Sequence, residues 1–503
     1  MRYIFSMMQT ETQHLDATAC YRALRARDAR FDGRFFAGVQ TTGIYCRPVC
    51  PARTPSAKNV RFFACAAAAA EAGFRPCLRC RPETSPGSSA WAGTTTTVAR
   101  ALRLIVAGAL DADSVDELAA RVGVGDRHLR RLFLQHLGTT PRALAQTRRL
   151  AFAKRLIDET SLPMSTIALA SGFGSVRRFN FAVHAAYRRS PRQLRRTNRV
   201  KTRPTGSDIV LRLAFRPPYD WTALHRFLAA RVVPGLESAG EGFFRRTLRL
   251  GNGHGLVEVR CVAGANHLLA RIRLDDPSQL MAVVARLRRQ FDLDAEPDLI
   301  ARHLRQDPRL AQGLRRHAGV RLPGAACAFE ATVRAILGQQ VSVAAATRLA
   351  NRLVELYGEP LRLENSGFED LQRVFPSPQA LANADLSRLP VPRARAAAIQ
   401  SLAAAFAADR IPLQPSALEE FVRPLCALRG VGEWTAHYAA LRALGDPDAF
   451  PAGDLGLRRA LGTNGHLATA ARVSSVAESW RPWRAYAAII LWNEGTKNGH
   501  AQP

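Results

Sequence analysis

A chain of 503 residues is too long for one ordinary hydrophobic core, so roughly three or four domains are expected, and its 47% hydrophobic content excludes a disordered polymer. Lys and Arg outnumber Asp and Glu 71 to 41, and the resulting formal net charge of +30 attracts polyanions, nucleic acid first among them. An arginine-rich codon bias would give the same surplus, so charge alone decides nothing.

The chain opens on MRYIFSMMQTETQ, which turns polar after a few apolar residues, and no later stretch is apolar enough to cross a bilayer. A cytoplasmic, nucleoid-associated protein with no membrane partner is expected. Nine cysteines, an odd number in a reducing compartment, argue for metal ligation wherever they cluster. The cluster is Cys46-Arg-Pro-Val-Cys50 with Cys77-Leu-Arg-Cys80, two short chelate loops whose four thiolates suit one tetrahedral Zn2+ ion. Arg47, Arg53, Arg75, Arg79 and Arg81 place positive charge nearby, which favours thiolate. Cys20 and Cys65 fall outside the pattern and read as buried thiols. On spacing alone the zinc is structural.

The strings GRFFAGVQTTGIYCRPVCPAR and FRPCLRC resemble the amino-terminal domain of Ada-type adaptive-response regulators, with both cysteine pairs in register. The resemblance implies a reactive cysteine at Cys46 that takes a methyl group irreversibly from a DNA methylphosphotriester. Loss of negative charge at that sulfur would then tighten DNA binding. Thr54 stands where the family pattern has His, which alters the expected phosphate contact.

A small α+β zinc domain is therefore placed at 10–83, and ETSPGSSAWAGTTTT marks a linker at 84–97. From 98 to 195 the pattern is helical and repeats, with Pro141 and Pro191 fifty residues apart in matching contexts. Ser114-Val-Asp-Glu117 is a capping box, Gly123-Val-Gly125 a turn, and the next helix carries Arg127, His128, Arg130 and Arg131 with Leu129, Leu132 and Phe133 inward. The second copy runs through the Gly172-Phe-Gly174 turn into a helix with Arg177, Arg178 and Asn180. The pair, with its GFGS and SPRQL strings, resembles the all-α double helix-turn-helix domain of AraC-type activators. That implies two recognition helices in successive major grooves of double-stranded DNA, and RNA polymerase as a partner.

A second linker is expected at 196–208. Alternating apolar residues in IVLRLAFRPPYDW, RTLRLGNGHGLVEVRCV and HLLARIRL predict an α+β subdomain at 209–288. Ala and Leu at helical spacing, broken by Pro and Gly, predict an all-α domain at 289–497. Within it Leu428-Arg-Gly430-Val-Gly432-Glu-Trp434-Thr435-Ala436 is a hairpin between helices, where two glycines let backbone amides approach a phosphate. Gly430, Gly432 and Thr435 are the DNA contacts expected there. Asp454, after Pro451-Ala-Gly453, reads locally as a helix N-cap.

The strings RPPYDW, FLAARVVPGLE, FEATVRAILGQQVSVAAA, GVGEWTAHYAALRALGDPDAFPAGDLGL and RPWRAYAAIILWNEG resemble AlkA-type 3-methyladenine DNA glycosylase II, a helix-hairpin-helix fold, over nearly the whole of this half. The resemblance makes Asp454 the carboxylate that stabilises the sugar cation as the glycosidic bond breaks, after the base has been flipped from the duplex. Trp434, Tyr438 and Trp492, with Trp221 and Phe227 from the α+β part, are expected to hold the cationic base, although each could equally be a core residue. Gln340 occupies the place of an apolar wedge into the gap left by the flipped base, and Leu455 and Asn493 replace aromatic residues of the pattern. No lysine stands beside the hairpin, so no Schiff-base lyase step is expected. No cysteine cluster follows, which excludes an iron–sulfur centre. The guanine-O-methyl transferase string PCHR is missing as well. The combined expectation is a methyl acceptor and transcription activator fused to a monofunctional glycosylase; the alternative is a regulator with structural zinc and a glycosylase-like DNA clamp.

Overall fold

Residues 16–86, 96–106, 108–197, 208–251, 253–363, 367–413, 418–463 and 466–495 are described in the computed structural model of the chain. The two linkers expected at 84–97 and 196–208 fall mostly outside them. Two units emerge, one of residues 1–216 with 277–285 and one of residues 217–276 with 286–503.

In the first unit, strands Phe36–Val39 (β1), Ile44–Cys46 (β2), Val60–Phe63 (β3) and Arg75–Pro76 (β4) form a sheet of order β3-β1-β2-β4, with β4 parallel to β2. That parallel pairing, Ile44 with Arg75 and Tyr45 with Pro76, brings the starts of the two chelate loops, Cys46 and Cys77, side by side. The helix Ala66–Glu71 covers the sheet, burying Ala67, Ala68 and Ala69 against Phe36, Tyr45, Phe63 and Phe74.

The helical repeat follows. Ser114 closes the capping box, its Oγ accepting from the Glu117 amide at 3.2 Å while the Glu117 carboxylate accepts from the Ser114 amide at 2.6 Å. Gly123 and Gly172 make the turns at φ +77° and +75°. The helices Asp126–Leu137 and Val176–Tyr187 bury Leu129 and Phe133, and Phe179 and Val183, to at most 1% exposure. The 19-residue helix Pro141–Glu159 joins the copies, capped by Thr140 with Pro141 at its first turn. Strand Ile209–Ala214 (β5) also falls in this unit; Glu159 accepts from the Arg212 amide at 3.1 Å.

The second unit opens with the helix Trp221–Ala229 and an antiparallel meander of Glu237–Gly240 (β6), Phe243–Leu250 (β7), Gly253–Cys261 (β8) and His267–Leu274 (β9). In β9 the residues Leu268, Ala270 and Ile272 are fully buried and their neighbours are not, the alternation of a sheet covered on one face. The rest is helical. Ala328–Leu337 buries eight of its ten residues, and Arg484–Gly495 buries all from Arg484 to Asn493, as helices apolar on every side must. The molecule is thus multidomain: an α+β zinc domain, an all-α double helix-turn-helix domain, and an α+β subdomain followed by an all-α domain.

Candidate functional site

Asp454 caps the helix Leu455–Ala460, its Oδ1 accepting from the Leu457 amide at 3.1 Å. The local N-cap reading and the catalytic one are therefore the same geometry. Two further donors reach it: Trp492 Nε1 gives to Oδ1 at 2.8 Å and Trp434 Nε1 to Oδ2 at 3.1 Å. Asp454 is only 2% exposed, and it lines a cavity with Trp434, Tyr438 and Trp492. Trp434 and Tyr438 stack with ring centroids 5.5 Å apart and 14° between planes; Trp492 lies 6.2 Å from Tyr438.

The helix Glu433–Ala439 delivers Trp434 and Tyr438 four residues apart on one face, and the buried Arg484–Gly495 helix brings Trp492 beneath Asp454. Gly456 leaves room for this arrangement, since a Cβ would stand 3.0 Å from Asp454 Oδ1 and 3.1 Å from Trp492 Cδ1, tighter than an ordinary contact. Leu455 is exposed and Asn493 buried.

Two of the five expected pocket aromatics lie apart from this group. Trp221 stacks on Phe291 at 6.0 Å, and neither it nor Phe227 is among the side chains lining the cavity. Phe227 instead supports two that are, Arg231 at 3.6 Å and Arg442 at 5.0 Å from its ring centroid. Burial pulls the Arg231 guanidinium down to about 10. Burial would raise the Tyr438 hydroxyl, yet Arg442, which donates to it at 3.1 Å, and Arg231 outweigh that and hold it below its ordinary value. Arg246 and Arg334, which also line the cavity, are each paired with Glu237 and Glu330 at 2.5 to 3.1 Å, so the four charges cancel. Three of these four pairings join residues nine or more apart along the chain, so local sequence shows only the i,i+4 pair of Glu330 and Arg334.

The hairpin 428–436 carries Gly430 at φ +88°, where a Cβ would also approach Ala398 Cβ to 3.0 Å. Gly432 precedes the helix and is exposed, with open space where a Cβ would be. Thr435 does not reach the outer surface. It is 2% exposed and its hydroxyl accepts from Gln339 Nε2 at 2.9 Å, so it holds the hairpin to the preceding loop rather than meeting DNA directly. Gln339, not singled out from sequence, also gives to the Gly430 carbonyl at 2.9 Å. Its neighbour Gln340 is exposed, with left-handed backbone at φ +58°.

In the first unit the sulfur atoms of Cys46, Cys50, Cys77 and Cys80 lie within 4.8 Å of one another. A tetrahedron with Zn–S bonds of about 2.3 Å has edges of about 3.8 Å, so the donor set fits zinc. Hydrogen bonds from the other three thiols hold Cys77 well below the ordinary thiol range and the same contacts hold Cys80 well above it, an unequal sharing of protons that a divalent cation replaces. Arg47 donates its backbone N–H to Cys80 Sγ at 3.4 Å, and its guanidinium is held by Asp32 and by Thr84 Oγ1 at 2.6 Å. Arg81 is likewise engaged by carboxylates, whereas Arg53, Arg75 and Arg79 are exposed beside the cluster. Cys20 and Cys65 are buried, and burial pushes both thiols up to about 11.

Arg127, His128, Arg130 and Arg131 of the first recognition helix are exposed, as are Arg177, Arg178 and Asn180 of the second. His128 Nδ1 is 3.0 Å from Arg131 Nη2, and Arg130 pairs with Asp126 at 3.3 Å.

A four-thiolate metal site, paired helix-turn-helix elements and a hairpin beside an aromatic cavity together define a DNA-binding regulator joined to a base-excision glycosylase. The comparisons agree segment by segment: residues 19–83 match the metal-binding domain of Ada, 118–197 a helix-turn-helix domain, 210–327 the AlkA N-terminal domain, and 333–484 the HhH-GPD superfamily of base excision DNA repair proteins. The "probable bifunctional transcriptional activator/DNA repair enzyme AlkA" of Mycobacterium tuberculosis (strain CDC 1551 / Oshkosh) is 43% identical over 95% of this chain and 96% of its own. The chain belongs to that family. DNA-3-methyladenine glycosylase 2 of Escherichia coli (strain K12) is 36% identical over 56% of this chain and 95% of its own, and the bifunctional transcriptional activator/DNA repair enzyme Ada of the same organism is 38% identical over 30% and 42%. The protein is thus a DNA-binding, zinc-binding regulator and a DNA-3-methyladenine glycosylase in one chain, with one four-cysteine zinc site. No helix among the described residues is long and apolar enough to cross a membrane.

Proposed function

We propose that Asp454 is the carboxylate of a hydrolytic glycosylase that removes 3-methyladenine and related alkylated bases. The observation that carries this is the convergence of Trp434, Trp492 and the Leu457 amide on one carboxylate at the wall of an aromatic cavity. A base flipped from the duplex stacks against Trp434, Tyr438 and Trp492, where a cationic ring gains about 0.5 to 2 kcal/mol per aromatic face. The C1′–N bond then breaks with its electron pair leaving on the base, which alkylation has already made positive, so no general acid is needed. Asp454, fixed by three donors, opposes the positive charge that develops on the sugar. Water adds at C1′ and loses its proton, and the products are the free base and an abasic site. The exposed Gln340 fills the gap in the duplex, while Gly430 and Gly432 present amides to the phosphate.

Purified protein should release 3-methyladenine from methylated duplex DNA, and Asp454→Asn should lower kcat by about a hundredfold or more while keeping the cap, since Asn is as good an N-cap as Asp. Equal release by the two proteins would leave only a DNA clamp.

The reading extends to Cys46 as a single-use methyl acceptor. Cys46 Sγ forms the S–CH3 bond as the O–CH3 bond of the methylphosphotriester breaks, and the electron pair leaves with the phosphodiester oxygen. Zinc held by Cys46, Cys50, Cys77 and Cys80 would keep the sulfur deprotonated and nucleophilic at neutral pH. The exposed Arg53, Arg75 and Arg79 attract the DNA backbone to that face. After incubation with methylated DNA the intact mass should rise by one methyl group, and Cys46→Ala that retains its fold should show no rise. An unchanged mass in the wild type assigns the zinc a structural role alone. Arg127, His128, Arg130, Arg131, Arg177, Arg178 and Asn180 are the proposed DNA contacts of the activator half, and contact with RNA polymerase at the nucleoid completes the reading.

A further inference from the structure

The two recognition helices share an exact internal register. Their N-caps are Gly125 and Ser175 and their left-handed C-caps Gly138 and Arg188, each pair fifty residues apart. The inward residues obey the same offset, Leu129 with Phe179 and Phe133 with Val183. The outward residues then pair as Arg127 with Arg177, His128 with Arg178, Arg130 with Asn180, and Arg131 with Phe181.

Phe181 breaks the pattern. It is 77% exposed, more than any other large apolar residue among those described, and it stands where the first helix has an arginine. Phe179, Ala182, Val183 and Tyr187 face the core, so Phe181 lies on the opposite stripe, one turn beyond Arg177 and one before His184. That stripe is cationic, since the helix has no acidic residue and Arg177, Arg178, Arg188 and Arg189 are all exposed. A bare aromatic ring in a cationic surface suits an anionic partner that also offers one apolar feature. Duplex DNA meets both conditions: phosphates on the rims, and on the floor of the major groove the thymine 5-methyl, the apolar group on the base edges there.

We propose that Phe181 reads the 5-methyl group of a thymine, so that the half-site under the second helix requires thymine at the step where Arg131 reads the first half-site. The inference rests on the reading that both helices enter major grooves. Arginine at the matched position favours guanine, so the two half-sites differ at this step although the protein elements repeat.

The test begins with selection of duplexes from a random library by the full chain. In the selected site each thymine is then replaced singly by deoxyuridine, which lacks only the methyl. One replacement in the second half-site should weaken wild-type binding about three- to fivefold, the worth of one buried methyl group, and leave Phe181→Ala unaffected. Phe181→Arg should select guanine there. Because Phe181 is 77% exposed, both variants should fold, and an unchanged first half-site preference checks that they do. If every replacement is neutral, or weakens wild type and Phe181→Ala alike, the proposal is overturned and the ring is left for a protein partner. If the wild type selects no sequence, or Arg127→Ala and Arg177→Ala bind as wild type does, the groove reading itself fails and the proposal with it.

Discussion

Three N–H groups converge on Asp454, and two of them belong to rings whose faces also line the cavity. Each indole can therefore orient the carboxylate through its edge and hold the base through its face. The roles separate in Trp492→Phe, which keeps an aromatic face and loses the 2.8 Å hydrogen bond. Its kcat should fall on the order of tenfold or more, with KM for methylated DNA nearly unchanged. A rise in KM at constant kcat would mean that the ring serves stacking only. Asp454 and the three nearest aromatics are reached through the resemblance to AlkA-type glycosylases, since local sequence alone reads Asp454 as a helix N-cap and each ring equally as core. The indole-to-carboxylate bonds are not legible, because a ring's edge is aimed by tertiary packing and local spacing carries no sign of it. Gln339 and Gln340 show the same limit: adjacent and chemically identical, they are told apart only by the left-handed backbone at Gln340, which leaves one tied to Thr435 and Gly430 and the other exposed.

At the scale of elements the repeat could be read with little loss, since capping box, turn glycines and inward leucines all follow from short-range chemistry. The 19-residue helix Pro141–Glu159 that joins the copies is likewise expected from sequence, but the burial of one of its ion pairs is not. Its Lys154 and Asp158, spaced i,i+4, have the pattern of a solvated surface pair. Yet their side chains are at most 2% exposed, and they meet Glu83 and Arg81 of the zinc domain: Lys154 Nζ lies 3.6 Å from Glu83, and Arg81 Nε 3.0 Å from Asp158. Cys65 adds a hydrogen bond from its sulfur to the Leu137 carbonyl at 3.7 Å. Arg81 directly follows Cys80, so an ion network anchored one residue from the metal site joins it to the helix between the two recognition helices. Lys154→Met removes the buried cation and leaves Glu83 and Asp158 with Arg81 alone, a loss of about 3 to 5 kcal/mol for a broken buried pair. The melting temperature of the zinc-loaded protein should drop by several degrees with its zinc content intact. An unchanged melting temperature would mean that Arg81 alone carries the carboxylates.

For the molecule as a whole, the composition indicated several domains and a polyanionic partner, but the division at Arg216 and Pro217 lies beyond the polar stretch chosen as a linker. Strand β5 falls in the first unit, where Arg155 and Glu159 bind its backbone across more than fifty residues of sequence. The second unit has its own long-range determinant in Asp292, whose Oδ2 accepts from the Leu322 amide at 3.0 Å and the Tyr486 hydroxyl at 2.9 Å. Burial pushes this carboxyl up to about 6, against the lowering effect of Arg321 and those two hydrogen bonds, with Asp294 adding to the rise. A folded value above the unfolded one of about 3.9 means that the native state binds the proton more tightly. The stabilisation is therefore complete below about pH 4 and is lost as pH rises through about 6. Five of the six tryptophans belong to this unit, so urea unfolding followed by tryptophan fluorescence reports it selectively. Asp292→Asn, which retains an acceptor for Tyr486, should match the wild type near pH 4 and exceed it at pH 8 by on the order of 2 kcal/mol. A difference independent of pH would assign Asp292 a fixed ion pair with Arg321 instead, since a carboxylate already ionised at pH 4 has no proton to lose across this range.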